Sequence, residues 1–195
     1  GVRRIADEIS AVLIFDEISS GFRMSVGGIY KNYGLEPDMV ILGKALGNGF
    51  GISAVLGKRQ VMQATQKSFI SSSYWTERTG YVAALATIKQ FEERNVIAYL
   101  SDIATYLREA FKKHISADVV TLDGLHTVPT IMFKHQSPVL AKTYFTQEML
   151  KRGYLASTVI YLSYAHTKKI IDAYILEVIE VTAAIERKST SQLTD

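Results

Sequence analysis

The sequence predicts an α/β layer built on a mainly parallel sheet, followed by a smaller α+β unit. Two observations predict the first part. Short continuous apolar runs recur before residue 57, and each is separated from the next by a helical or loop crossover. A third observation predicts the second part: beyond two long amphipathic patterns the texture changes to a pair of strand-like runs and two further helical stripes.

The elements follow in order. Val2, Ile5, Ala6 and Ile9 fall at helical spacing, with Arg3, Arg4, Asp7 and Glu8 on the other face. The chain therefore opens inside an amphipathic helix that needs a surface to pack on, which predicts that these 195 residues are part of a longer protein. Residues 11–15, AVLIF, are long enough for a strand buried on both faces and end abruptly at Asp16-Glu17. Residues 39–42 form a second run, preceded by the turn-like Glu36-Pro37-Asp38 and ended by Gly43-Lys44. Residues 52–56 form a third, closed by Gly57-Lys58.

Helices are predicted over 79–94, with Val82, Leu85, Ala86 and Ile88 apolar, and over 95–115, with Ile97, Leu100, Ala104, Leu107 and Phe111 on one stripe. Residues 119–122 and 130–133 are strand-like, joined by a segment containing Gly124 and Pro129. A helix over 139–152 stops at Gly153, which suits a left-handed C-cap. Thr167 caps a last helix with the stripe Ile170, Ile171, Tyr174, Val178, Ile179 and Ile185. Residues 188–195 are polar and read as a loose tail. A boundary inside the long helix divides the chain into residues 1–100 and 101–195.

Composition excludes several classes. Hydrophobic residues make up 48% and charged residues 21%, with three prolines. That balance supports a buried core and rules out a disordered or collagen-like chain. The absence of cysteine rules out disulfide scaffolds and cysteine-ligated zinc or iron–sulfur sites, and it suits a reducing cytoplasm. The net charge is +3, and the 22 Lys and Arg are scattered, so no nucleic-acid footprint is read. No apolar run approaches the roughly 20 residues of a membrane span, and no signal-peptide pattern precedes the first strand.

The residues that can carry chemistry sit at strand ends. In an open parallel sheet, ligands bind outside the carboxyl ends of the strands. Asp16 and Lys44 each directly follow an apolar run, so two parallel strands would deliver a carboxylate and an amine to one edge. A partly desolvated Lys there attacks a carbonyl as a free amine, and a buried Asp there needs a cationic partner. Pyridoxal phosphate meets both needs, through its aldehyde and its protonated ring nitrogen. An exposed strand-exit lysine beside a solvated Asp16-Glu17 turn is the plainer alternative, and spacing leaves both open.

The other motifs are weaker. Gly47-Asn48-Gly49-Phe50-Gly51 is neither GxGxxG nor a P-loop, and it reads as a tight turn presenting Lys44. Ser71-Ser72-Ser73-Tyr74-Trp75-Thr76, just before the helix at residue 79, suits a phosphate or serves as a capping loop, the latter being favoured. His114, His126, His135 and His166 have no metal-ligand spacing and read as surface or loop residues. Arg23, Arg78 and Arg152 are the candidate clamps for a substrate carboxylate nearest these motifs.

On these residues the chain resembles a known family. AVLIFDEISSGFR, residues 11–23, is similar to the strand-plus-Asp motif of class III (subgroup II) pyridoxal-phosphate aminotransferases. MVILGKALGNGFGISAVLG, residues 39–57, is similar to their Schiff-base lysine segment. The Gly-Phe-Arg ending, Gly27-Gly28, Tyr33-Gly34 through Pro37-Asp38, and Tyr164-Ala165-His166-Thr167 resemble the glutamate-1-semialdehyde aminomutase branch. SSSYWTERTGYVAALAT, residues 71–87, is closer to relatives associated with sugar or polysaccharide pathways.

The resemblance implies a partial fold type I transferase. Residues 1–100 would end the large cofactor-binding domain, and residues 101–195 would form the C-terminal small domain. Lys44 would form the internal aldimine and shuttle protons, and Asp16 would keep the ring nitrogen protonated. Ile18 would pack against the ring face. Ser73 would bind the cofactor phosphate of a neighbouring subunit in place of the family's Thr, a change that keeps the hydroxyl and loosens its rotamer. Residues 75–79 depart from the family's more usual Ser-Gly-Asn-Pro pattern. The family's main phosphate-binding turn and ring-stacking aromatic precede the region matched here. The implied protein is a cytoplasmic homodimer with a shared site, passing an amino group from a small-molecule donor to a carbonyl acceptor or a neighbouring carbon. The reading from a different class is a catalytically silent fragment or interaction module that keeps the fold remnant.

Overall fold

The computed structural model describes residues 1–188 and 192. The chain divides into two compact units, Gly1–Ile97 and Ala98–Asp195.

In the first unit, helix α1 (Val2–Glu8) precedes strands β1 (Ile14–Asp16), β2 (Met39–Leu42) and β3 (Ala54–Gly57), which form one sheet in that order. Helices α2 (Arg59–Met62) and α3 (Thr79–Glu93) follow. β1 and β2 are parallel, with Phe15 opposite Val40 and Asp16 opposite Ile41. β3 runs antiparallel to β2, with Val55 opposite Ile41. The sheet is thus mixed, as is common where an antiparallel strand joins an otherwise parallel sheet. The core gathers Phe22, Val40, Leu42, Leu46 and Ala84, and Phe22 meets Phe91 edge-on at 5.4 Å.

The run at residues 11–15 differs from its expectation of burial on both faces. Its ladder covers only Ile14–Asp16, and Val12 and Ile14 are about half exposed. β1 is hydrogen-bonded to β2 alone, so it is an edge strand; Phe15 packs inward, edge-on against Tyr30 at 6.0 Å. The apolar stripe of α1 is also mostly exposed, and only Ala6 is buried.

Asp38, at the entry to β2, ties three segments together. It accepts the Leu13 N–H at 2.8 Å, the Arg3 guanidinium at 2.8 Å and the Lys58 ammonium at 2.9 Å. Those donors, the backbone N–H foremost, hold its carboxyl well below the usual carboxylate range.

Helix α4 (Val96–His114), which from Ala98 onward belongs to the second unit, leads into the hairpin of β4 (Val120–Leu125) and β5 (Val128–Phe133), then α5 (Pro138–Lys151) and α6 (Lys168–Arg187). The segment that joins the two runs, with Gly124 and Pro129, extends this ladder, and the two residues face each other in it. Gly124 takes φ +77°, and a Cβ there would lie 2.9 Å from the Val128 carbonyl oxygen, so the position is restricted to glycine. Arg108 of α4 donates to the carbonyls of Leu125 at 2.9 Å and His126 at 3.2 Å, which holds the hairpin turn.

Leu107, Ile131, Phe145, Met149, Leu162, Val178 and Val181 are fully buried in the second unit, where α5 lies against β5 and α6. Thr167 caps α6 by accepting the Ile170 N–H at 3.4 Å. Gly153 follows α5 with φ +86°, and the Tyr154 N–H closes the turn onto Met149 O at 2.9 Å. Of the predicted loose tail, Lys188 donates to Gln192 O at 2.8 Å; residues 189–191 and 193–195 lie outside the described residues. Among the described residues no helix is long and apolar enough to cross a membrane.

Candidate active site at the carboxyl edge of the first sheet

The parallel pairing of β1 and β2 sets the site. Asp16 ends β1 opposite Ile41, and the Glu17 N–H continues the ladder to Ile41 O at 2.9 Å. Lys44 begins three residues beyond Ile41, so both side chains leave the sheet from the same edge.

Local geometry presents each one. Lys44 has φ +46° and starts a 3-10 helix, Lys44–Leu46. Its carbonyl accepts the N–H groups of both Gly47 and Asn48 at 3.1 Å. At Gly47 a Cβ would fall 2.1 Å from the Phe50 carbonyl oxygen, so the turn closes only on glycine. On the other strand, Asp16 Oδ1 accepts the Ile18 N–H at 3.0 Å, which turns the chain just after the carboxylate. Ile18 then lies over the backbone of Gly43, where a Cβ would meet Ile18 Cγ2 at 3.5 Å.

Both reactive groups are exposed in this chain, contrary to the expected buried Asp and desolvated Lys. β1 is the sheet edge, so no neighbouring strand covers Asp16. Among the described residues no cation is ion-paired with Asp16 and no carboxylate with Lys44. The Lys44 ammonium instead donates to the Ser19 hydroxyl.

Ser73 lies in an exposed turn closed by Trp75 N–H to Ser72 O at 3.1 Å. The next residue, Tyr74, reaches Gly51 at the end of the Lys44 turn; a Cβ on Gly51 would sit 3.8 Å from its ring. The first amide of α3 is already occupied. Glu77 accepts both the N–H and the hydroxyl of Thr79 at 2.7 Å, which holds the Glu77 carboxyl below its ordinary range. The group that takes the first amide of α3 is thus Glu77, just beyond the hydroxyl-rich stretch 71–76. Among the carboxylate-clamp candidates, Arg152 is committed to Glu148 and Glu177, each at 3.0 Å. Among the described residues no group of three or more His, Asp and Glu is placed to hold a metal.

Comparison with known proteins decides the family. Residues 1–180 match the family model for aminotransferase class-III. The chain belongs to the class-III aminotransferases.

This class-III chain is 33% identical to a 3-aminobutyryl-CoA aminotransferase of Cloacimonas acidaminovorans, over 96% of its own length and 47% of the relative. It is 31% identical to a glutamate-1-semialdehyde 2,1-aminomutase of Methanothrix thermoacetophila, over 88% of its length and 44% of the relative. Among solved structures, the pyridoxal phosphate internal aldimine form of FumI from Sphingopyxis superposes with a TM-score of 0.86 at 25% identity, covering 95% of this chain and 46% of the other. The class-III chain thus spans about half the length of the relatives it matches.

Two residues of the site escape sequence reasoning. Ser19 is an ordinary turn serine in the sequence, and its contact with Lys44 exists only once β1 and β2 pair. Glu17 reads as half of a solvated Asp-Glu turn, yet it is 2% exposed and anchors the loop after β1. The strict alternation of faces along β1 is the signal that separates the two acids: Phe15 and Glu17 face inward, and Asp16 faces outward.

Proposed function

We propose that the complete protein is a pyridoxal-phosphate-dependent aminotransferase or aminomutase. The observation that carries this is the exit of Asp16 and Lys44 from one edge of a parallel strand pair in a class-III aminotransferase chain. The residues present fit the cofactor: among the described residues Lys44 is a primary amine with no carboxylate ion-paired to it and Asp16 a carboxylate with no cation ion-paired to it, and Ile18 lies over Gly43. When bound, the cofactor supplies a carbonyl for an amine and a cationic ring that takes up electrons from the substrate α-carbon.

In this reading Lys44 holds the cofactor and, once released by the amino donor, moves the proton at the substrate α-carbon. Asp16 accepts the hydrogen bond of the protonated ring nitrogen and keeps that nitrogen charged. Ile18 packs on the ring face and excludes water there. Ser73 offers its hydroxyl to the cofactor phosphate of a second subunit, which makes the protein a homodimer with a shared site. A cytoplasmic location is part of the same proposal and is supported by the cysteine-free composition. Transfer to a carbonyl acceptor and transfer to a neighbouring carbon use the same Lys and Asp.

The test is Lys44→Ala in the complete protein. Turnover is expected to vanish, together with the cofactor that borohydride fixes to the Lys44 peptide of the unsubstituted protein. Normal turnover in the variant overturns the assignment. Asp16→Asn is expected to slow exchange of the substrate α-hydrogen on the order of 10²-fold, the usual scale for losing one preorganised charge contact; unchanged exchange removes Asp16 from that role.

A further inference from the structure

We propose that Ser19 is a positioning residue for Lys44, holding the amine at the carboxyl edge of β1. This rests on the reading of Lys44 as the reacting amine. The contact joins two turns that are each held by their own backbone. Ser19 lies in the turn after β1, where Asp16 Oδ1 takes the Ile18 N–H and the Gly21 N–H returns to Glu17 O at 2.8 Å. Gly21 has no room for a side chain: a Cβ would lie 2.7 Å from Glu17 O and 2.9 Å from Gly27 O. Buried Glu17 accepts from Ser20 next door. Lys44 is launched from a 3-10 turn that closes on Gly47. The Lys44–Ser19 hydrogen bond therefore connects two defined frames, and among the described residues it is the hydrogen bond that the exposed Lys44 side chain makes.

The chemistry of the pair suits an amine that changes its protonation. A lysine ammonium only donates, whereas a serine hydroxyl both accepts and donates. Ser19 accepts from the charged form and donates to the lone pair of the neutral form. One contact thus serves the amine before and after it gives up a proton. A long exposed lysine otherwise samples many rotamers, so this hydrogen bond narrows the positions of Nζ to those within reach of Ser19, against the rotamer entropy it gives up.

The experiment labels the cofactor-free complete protein with acetic anhydride and reads acetylation at each lysine by mass spectrometry. In Ser19→Ala, the initial rate at Lys44 is expected to rise roughly two- to tenfold, the range that loss of one ordinary hydrogen bond gives. Lys89, already engaged with Glu93, is the internal reference and is expected to be unchanged. Ser19→Thr, which keeps the hydroxyl, is expected to restore the original Lys44 rate. An equal Lys44 rate in Ser19→Ala and the parent overturns the proposal, as does a rise that Thr does not reverse or that Lys89 shares. Borohydride fixation of cofactor to Lys44 in the unsubstituted protein, run alongside, separates the two readings. If fixation fails there, the assignment of Lys44 fails; if fixation succeeds and labelling is flat, only the role of Ser19 does.

Discussion

Glu17 reaches across thirteen residues of chain to accept the backbone N–H of Tyr30 at 3.1 Å. Its second oxygen accepts from Ser20, and Gly28 passes so close that a Cβ there would lie 3.1 Å from the Glu17 carboxyl carbon. A 2% exposed carboxylate thereby fastens the loop that follows Asp16 to the start of the next helical turn. Glu17→Ala leaves one amide and one hydroxyl without their acceptor, at a cost of about 1–3 kcal/mol. Urea unfolding of the complete protein is expected to show that loss in the midpoint. Glu17→Gln, which keeps an acceptor for Tyr30, is expected to lose less.

Asp38 gives a pH dependence with a definite sign. Its folded carboxyl is held below the unfolded value near 3.9, because Leu13, Arg3 and Lys58 all favour the anion. A lowered folded value means that stability is fully present above the unfolded value and is lost as pH falls toward the folded one. Stability is therefore expected to decline below about pH 4–5 in the parent protein. Asp38→Asn keeps an acceptor for the Leu13 N–H and lacks the charge. It is expected to be less stable at neutral pH and to decline less steeply with acid. Parallel acid titrations followed by circular dichroism check this, and identical slopes would show that Asp38 contributes no proton linkage.

Gly47 and Gly49, both after Lys44, are expected to respond differently to alanine. Gly47→Ala drives a Cβ to within 2.1 Å of the Phe50 carbonyl oxygen, a backbone atom that cannot yield without opening the turn. Gly49 has φ +106° and nothing near its Cβ, so alanine there meets only backbone strain of about 1 kcal/mol. Borohydride fixation of cofactor to Lys44 is expected to fall several-fold in Gly47→Ala, the scale of a kilocalorie or so of misplacement. It is expected to stay near the parent value in Gly49→Ala.

Tyr174 is buried, and burial pushes its hydroxyl pKa well above the ordinary tyrosine value. Among the described residues that hydroxyl has no hydrogen-bond partner. The ring sits edge-on to Tyr154 at 5.8 Å and lines a cavity of about 320 Å³ with Ile160, His166 and Ile170. Removing an unsatisfied buried polar group costs nothing and relieves desolvation. Tyr174→Phe is expected to be neutral or to stabilise the protein by up to about 1 kcal/mol in thermal unfolding. A loss of about 2 kcal/mol or more would show that the hydroxyl is bonded.

The sequence by itself determined the long helices, the approximate places of the strands and the two strand-exit residues Asp16 and Lys44. The stripe of α6 and its Thr167 cap, the Gly153 stop and the Asp16 and Lys44 strand exits all follow from local periodicity and turn chemistry. The class-III family was legible in two motifs, because Asp and Lys at strand ends, framed by glycines, form a pattern dense enough to recognise. Tertiary structure alone decided the rest. The antiparallel sense of β3, the edge position of β1, the burial of Glu17 beside exposed Asp16 and the contact of Ser19 with Lys44 depend on which strand pairs with which. Local patterns set where a chain turns and which residues alternate. Hydrogen bonds between segments distant in sequence set which of those residues meet.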